Sequence, residues 1–340
     1  MRVLHAMAGA RRGGAEAFFA RFVRALARRG VEQRALVRAE PARLAALSTA
    51  GAPADAARFG GPFDLVTALR FARAIRRFRP AIVMTWLGRA SAACPRGRFV
   101  HVGRLGGPYD LRRFRRCDHL VVNTRGLGDW AVGQGWPAAK VHVLGNFADE
   151  APAPPIARAA LATPERARVV LALGRLHPAK GFDVLIEAVV RLPDIVVWLA
   201  GEGPLQGPLE DLARRRGIAD RIRFLGWRDD AGALLASADV LVCPSRREPL
   251  GNVVLEAWAH GVPVVAAAAA GPAELITPEA DGVLVPIDDP DALAAALRRV
   301  LGDASHARSL VAAGRRTYEQ EHSEAIVVER AVALFRGLAA

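Results

Sequence analysis

The sequence predicts an α/β protein of two doubly wound domains, each a parallel sheet covered by helices on both faces, opposed across a cleft. Three observations carry this. At 340 residues the chain is too long for one ordinary core. Short apolar runs alternate with helix-period stretches along nearly its whole length. An Ala/Pro-rich stretch with Pro152, Pro154, Pro155 and Pro164 interrupts that alternation near the middle. The expected division is 1–150, a linker over 151–167, a second domain over 168–320, and a terminal helical segment over 321–340.

In the first domain, strands are predicted at 3–7, 32–37, 82–85, 99–102, 120–122 and 141–143, where short apolar runs are bounded by turn residues. Helices are predicted at 17–27 and 65–78; in the latter Leu65, Leu69, Ala72 and Ile75 fall at helical spacing. In the second domain the strands are 169–173, 196–200, 222–224, 240–242, 262–265 and 283–285. Helices follow at 184–191, 209–215, 231–235, 253–260 and 291–301, the fourth stopped by Gly261 and Pro263. A last helical stretch runs over about 325–338.

Charge is distributed unevenly. Residues 1–150 carry 26 Arg+Lys against 10 Asp+Glu, net +16, whereas 151–340 carry 21 against 24, net −3. Arg70, Arg73, Arg76, Arg77 and Arg79 crowd one predicted helix, Arg21, Arg24, Arg28 and Arg29 another, and Arg112, Arg113, Arg115 and Arg116 a loop. Two accounts fit: an arginine-rich chain that solvates its helices with arginine, or attraction to an anionic membrane face or anionic acceptor. No nucleic-acid partner is expected, because aromatics are not interleaved with the cations and no nucleic-acid module is present. Cys94, Cys117 and Cys243 are few and far apart, so neither a zinc site nor a disulfide framework is expected, which suits a reducing cytoplasm. No apolar run reaches the ~18 residues of a spanning helix, and the segment at 2–7 reads as a first strand, too short for a signal peptide.

The most informative segment is Ser245-Arg-Arg-Glu-Pro-Leu-Gly-Asn-Val-Val-Leu-Glu256. It passes from a predicted strand through a loop into a predicted helix. Amides at a helix start lack intrahelical acceptors and that end of the dipole is positive, so the place suits a phosphate. Glu248 on the loop and Glu256 about a turn inside the helix are poorly suited to the phosphate itself. They suit hydroxyls on either side of one, the layout of a sugar nucleotide. Gly174-Arg-Leu-His-Pro-Ala-Lys-Gly181 also follows a strand and precedes a helix. Arg175 and Lys180 then project from the carboxyl edge of the sheet, where open α/β folds bind ligands. A guanidinium fork and an ammonium can neutralise a diphosphate leaving group without a metal. Lys180 is one of two lysines against 45 arginines, which points to a need for the smaller head group there. No Gly-Lys-Ser/Thr occurs, so this is not a Walker loop.

Other segments speak more softly. Gly13 and Gly14 follow the first strand and start a helix, a turn that lets backbone approach a ligand, with Arg11 and Arg12 beside it. Gly201-Glu-Gly-Pro204 follows a strand, but the third glycine of a dinucleotide fingerprint would fall on Gln206, so Rossmann cofactor binding is not indicated. Asp289-Pro-Asp291 has the form of a metal-binding Asp-x-Asp, yet it immediately precedes a helix and reads as a cap. His101 sits at the end of one strand and Trp86 at the end of another, and each reads either as a contact to sugar or acceptor or as a core residue; Arg104, just after His101, reads as a contact to phosphate or acceptor.

The two long segments resemble the Glu-x7-Glu signature and the strand–Gly-Arg–loop–Lys-Gly element of the GT-B retaining glycosyltransferases, family 4 (group 1). Gly13-Gly-Ala-Glu16 is similar to that family's N-terminal glycine loop. Gly201-Glu-Gly-Pro204, Phe224-Leu-Gly226 and Gly271-Pro-Ala-Glu-Leu-Ile276 follow in family order. The resemblance spans nearly the whole chain and is strongest from residue 168 onward. It implies a hexosyltransferase, free in the cytoplasm or peripheral on the cytoplasmic face of the inner membrane, that moves sugar with retention to a hydroxyl of a saccharide or glycolipid, such as lipopolysaccharide or another cell-envelope glycan. It implies no cofactor and no metal, the nucleotide sugar being a substrate, with a UDP-sugar favoured over a GDP-sugar. It gives Arg175, Lys180 and Glu248 catalytic roles. It assigns donor binding to Gly13, Gly14, Gly174, Glu202, Gly203, Leu250, Gly251, Asn252 and Glu256, with Glu256 holding the ribose. It also implies a final helix that returns to the N-terminal domain. The rival readings are a GT-B sugar-nucleotide epimerase and a catalytically silent sugar-nucleotide-binding scaffold.

Overall fold

The structure, a computed structural model, describes residues 1–11, 13–61 and 63–340; Arg12, singled out above, lies outside them. The chain divides into two compact units, Met1–Asn146 with Glu324–Ala340, and Phe147–Ser323.

The first unit runs β1 (Arg2–Met7), α1 (Gly14–Arg28), β2 (Glu32–Arg38), α2 (Pro41–Thr49), β3 (Ala54–Ala57), α3 (Leu65–Phe78), β4 (Ile82–Trp86), α4 (Leu87–Ala93), β5 (Val100–Leu105), β6 (His119–Val122), α5 (Arg125–Gly133) and β7 (Val141–Val143). Among the described residues these strands form a seven-stranded parallel sheet in the order β3-β2-β1-β4-β5-β6-β7. β1 pairs with β2 on one side, Arg2 opposite Glu32, and with β4 on the other, Val3 opposite Ile82. The winding therefore reverses between β1 and β4, and the loops that leave these strands flank the position at which such sheets take ligands.

One helix is turned over relative to the sequence reading. In α3 the buried residues are Thr67, Phe71, Ala74 and Phe78, while Leu65, Leu69 and Ala72 face solvent. Only Ile75 of the expected apolar line packs partly against the core. The two phenylalanines decide the face, since an aromatic ring buries more area than the leucines it displaces; Phe71 meets Phe59 edge-on, with ring centroids 6.2 Å apart.

The second unit runs β8 (Arg168–Leu173), α6 (Phe182–Val189), β9 (Ile195–Ala200), α7 (Gln206–Arg215), β10 (Ile222–Gly226), α8 (Ala231–Leu235), β11 (Val240–Cys243), α9 (Asn252–Ala259), β12 (Val264–Ala267), α10 (Ala270–Leu275), β13 (Val283–Val285), α11 (Pro290–Gly302) and α12 (Ala304–Thr317). The sheet order is β10-β9-β8-β11-β12-β13, all parallel, so the winding reverses between β8 and β11. Alternate residues of each strand feed opposite cores. Val170, Val197 and Val242 point into one, and Leu171, Trp198 and Leu241 into the other. That is why these strands read as continuous apolar runs rather than as alternating ones.

The expected linker is not a free tether. Ile156 packs on the second core and its amide donates to Ser237 Oγ at 2.7 Å. Arg158 pairs with Asp239 at 3.1 Å, and Trp198 Nε1 donates to Thr163 Oγ1 at 2.9 Å. Its prolines hold an extended path along the unit rather than a loose one. The last helix, α13 (Glu324–Ala339), belongs to the first unit: Phe335 meets Phe22 of α1 edge-on, and Arg28 binds Glu324. Among the described residues no helix is long and apolar enough to cross a membrane.

Candidate active site

The loops that leave β8 and β11 flank the reversal point of the second sheet, and they carry the two segments singled out in the sequence. The β8 loop holds Gly174 through Gly181, with a short turn over Pro178–Lys180. The β11 loop holds Pro244 through Gly251 and leads into α9. They are stitched together by backbone, because the Arg247 amide donates to the Ala179 carbonyl at 3.1 Å. Gly181 makes this approach possible. Its φ of 64° is left-handed, and a Cβ there would collide with the Pro244 carbonyl oxygen. A third loop joins the same edge: the Leu176 amide donates to Glu202 O at 3.0 Å and the Leu205 amide to Leu176 O at 3.1 Å. From the far side, the Gly271 amide donates to Glu248 O at 2.8 Å.

This stitching brings Lys180 and Glu248 into direct contact: the ammonium donates to Glu248 Oε2, which also accepts from Ser245 Oγ at 3.2 Å. Their side chains are 25% and 12% exposed, so the pair is largely but not wholly out of water. Burial by itself would lower the Lys180 pKa. The facing Glu248 charge, a weaker contribution from Cys243 and the hydrogen bond to Glu248 overcome that and raise it, against some opposition from Arg175. An ammonium has three N–H donors, and Glu248 takes one of them. Arg175 is exposed on the same loop.

The helix start that follows lies at the same edge. Gly251, at φ 95°, is the N-cap of α9 and brings no side-chain cap. Leu250 is buried and anchors the loop, Asn252 opens the helix, and Glu256 lies half-buried farther along it. Gly174 and Gly203 are both partly buried, while the Glu202 side chain is exposed.

Two supports were not legible beforehand. Ser245 orients the Glu248 carboxylate. Arg246 forms a bidentate pair with Asp183 at 2.8 and 2.6 Å, binds Asp288 at 2.5 Å and donates to Pro178 O at 3.0 Å. It fixes the β11 loop to the Pro178 turn and the start of α6. Among 45 arginines nothing in the sequence distinguishes it. Asp289 does cap α11, accepting from the Ala292 amide at 2.8 Å.

In the first unit Gly13 is the N-cap of α1 and Gly14 its first residue, beyond the end of β1. The three side chains considered for sugar or acceptor are buried instead. His101 Nε2 faces Thr85 Oγ1 at 3.0 Å and its Nδ1 faces the Arg116 carbonyl at 3.1 Å; burial pulls its pKa down to about 4. Trp86 packs among Phe18, Phe19 and Phe22 and donates to His5 at 3.4 Å. Arg104 is 4% exposed. It donates to Asn146 Oδ1 at 2.6 Å, and its guanidinium lies 5.3 and 5.5 Å from the ring centroids of Phe18 and Trp86. Its Nη1 has no partner among the described residues, and desolvation pulls its pKa down to about 9.

Comparison with known proteins agrees with this architecture. The pattern of "Glycosyltransferase Family 4" matches residues 12–151 and that of "Glycosyl transferases group 1" matches residues 167–303. The chain is 37% identical to the lipopolysaccharide core biosynthesis glycosyltransferase LpsD of Rhizobium meliloti, over 100% of this chain and 99% of LpsD. It is also 37% identical to LpsE of the same organism, over 97% of each. The crystal structure of Anabaena HepE in complex with UDP and glucose superposes with a TM-score of 0.87 at 21% identity, over 99% of both chains, which shows the shared fold. With two parallel doubly wound sheets and both patterns matched in order, the chain belongs to the group 1 glycosyl transferases of glycosyltransferase family 4, with the GT-B fold.

Proposed function

We propose that this glycosyltransferase acts with retention and without a metal, moving a hexose-type sugar from a UDP-sugar to a hydroxyl of a lipid-linked saccharide in the lipopolysaccharide core or another cell-envelope glycan. The observation that carries the reading is the Lys180–Glu248 pair, made by the two loops that flank the sheet reversal and set beside the start of α9. Support for the pathway comes from the two near-full-length relatives named for lipopolysaccharide core biosynthesis, and for the donor from HepE, whose crystal contains UDP.

Lys180 and Arg175 neutralise the departing diphosphate, aided by the positive end of α9. Glu248 holds the Lys180 ammonium with one carboxylate oxygen and accepts from donor-sugar hydroxyls with the other. Glu256 accepts from the ribose hydroxyls. The bond from the anomeric carbon to the diphosphate breaks as the acceptor oxygen bonds on the same face, and the acceptor proton passes to the leaving phosphate oxygen. No protein nucleophile is required. The enzyme works at the cytoplasmic face of the membrane, and the basic first unit draws it to anionic lipid.

Incubation with UDP- and GDP-sugars, with and without core oligosaccharide, tests this. Acceptor-dependent UDP release that yields an α-linked product from an α-linked donor supports it. Acceptor-independent interconversion of the donor sugar, or no turnover of any donor, overturns it.

A further inference from the structure

The outward face of α3 is apolar where a solvated helix would be polar. Phe63 is 95% exposed, Leu65 74% and Leu69 70%, with Val66 also open. Leu65, Leu69, Ala72 and Arg76 fall on one line along the helix, opposite the buried Thr67, Phe71, Ala74 and Phe78. Arg73, Arg77 and Arg70 lie progressively round one flank and are exposed. Single exposed leucines are ordinary, but a contiguous apolar tip with cations along one flank marks an interaction surface. The helix contains no acidic residue.

The tip is held rather than loose. Asp64 caps α3, accepting from the Thr67 amide at 3.0 Å and the Gly60 amide at 2.8 Å. Thr67 Oγ1 donates to Asp64 at 2.5 Å and accepts from the Phe59 amide at 2.9 Å. Phe59, buried at φ 51°, anchors the start of the turn against Phe71. Asp64 is therefore engaged in the cap at the N-terminal end of the helix, away from Arg73, Arg76 and Arg77.

We propose that Phe63 and the outer face of α3 form a bilayer-docking element: Phe63, Leu65, Val66 and Leu69 enter the headgroup–acyl boundary, while Arg70, Arg73, Arg76 and Arg77 pair with anionic lipid phosphates. Charge complementarity selects this occupant. A second copy of the chain would set four arginines against four arginines across a two-fold interface. A purely electrostatic partner would leave the apolar tip in water. Apolar insertion beside a basic flank is the pattern of interfacial membrane helices. The inference rests on the membrane-facing part of the proposed function and names the element that makes the contact.

The test is co-sedimentation of the full chain with phosphatidylcholine vesicles and with phosphatidylcholine–phosphatidylglycerol vesicles, across a salt series and without donor. Wild type is expected to bind the anionic vesicles and to keep a salt-resistant fraction, since apolar insertion is not screened. The triple variant Phe63→Ser, Leu65→Ser, Leu69→Ser should bind on the order of 10²-fold more weakly and lose that fraction. The quadruple variant Arg70→Gln, Arg73→Gln, Arg76→Gln, Arg77→Gln should lose the preference for phosphatidylglycerol. These side chains lie outside the core, so thermal unfolding should be unchanged, and transfer to a soluble acceptor should match wild type in both variants. Vesicle binding is read without sugar nucleotide, so it succeeds or fails independently of the transfer chemistry. Wild-type binding that salt abolishes completely, a triple variant that binds like wild type, or a wild-type dimer that the triple variant dissolves would each overturn the proposal.

Discussion

Replacing Lys180 by alanine separates a catalytic cation from a structural one. The substitution leaves the Glu248 carboxylate without its ion partner, with Ser245 Oγ at 3.2 Å still bonded to it. Removing one member of a fully buried pair costs ~3–5 kcal/mol, and exposed pairs are worth ~0–1 kcal/mol. With side chains 25% and 12% exposed, this pair falls between, so a loss of about 1–3 kcal/mol is expected. A domain stable by ~5–15 kcal/mol survives that. On the proposed role, in which the ammonium's remaining donors face charge that grows only as the diphosphate departs, turnover should fall far more, on the order of 10²-fold or greater. Steady-state transfer at saturating donor, with a thermal melt on the same sample, gives both numbers. Glu248→Gln supplies the control. If Lys180 merely holds Glu248, then Lys180→Ala added to Glu248→Gln changes nothing further. If it stabilises the leaving group, the double variant is slower than Glu248→Gln alone. A folded Lys180→Ala protein with near-wild-type kcat would falsify the assignment. The pair also predicts an alkaline limb. The Lys180 pKa is raised in the fold above its usual 10.5, so its contribution to stability is complete below that value and is lost as pH climbs through the folded pKa.

The remaining predictions concern other parts of the chain. Glu256→Ala should chiefly weaken UDP binding, since ribose contacts are equal in ground and transition states, whereas Glu248→Ala should lower turnover but bind UDP almost normally; calorimetry showing equal loss in both contradicts that split. Gly314→Ala adds a Cβ that collides with the Trp258 indole, which is pinned through Nε1 to the Asp281 carbonyl at 2.8 Å. Overpacking of ~1–3 kcal/mol then outweighs a helix-propensity gain of ~1 kcal/mol, and a raised melting temperature would contradict this. Arg104→Met removes a buried charge that has no carboxylate partner among the described residues, so stability should stay within about 1 kcal/mol of wild type or rise; a large loss on denaturant unfolding would show that its bond to Asn146 outweighs its desolvation. His5 and His101 are both held near pKa 4 by burial, so the unfolded chain binds their protons first and stability should fall as pH drops from 6.5 toward 4, then level off. His101→Gln should flatten part of that slope in an acid titration of the melting temperature.

How far the sequence carried the fold depends on where its signal lies. Strands such as β8, β9 and β11 stand within a residue of where their apolar runs place them, because a parallel sheet buried on both faces leaves continuous runs that are easy to see. The sequence reading lacks β3, α2, α4, α5, α10 and α12; Gly128 and Gly133 in α5 and Gly314 in α12 look like breakers. Gly314 is small because Trp258 occupies the space a side chain would need. The contact between Lys180 and Glu248 was also hidden, although both residues had been singled out. It depends on two residues 68 positions apart being carried by neighbouring strands, and on a left-handed Gly181 clearing the Pro244 carbonyl. Arg246 was invisible for a different reason: an arginine that clamps two loops is spelled like an arginine in water. In α3 the spacing marks a helix but not the face that packs. Periodicity marks an apolar line but not what covers it, and in this helix the line that packs is set by Phe71 and Phe78. The leucine line left outside puts apolar exposure and positive charge side by side, and that coincidence, not the net charge alone, separates a docking surface from ordinary arginine solvation.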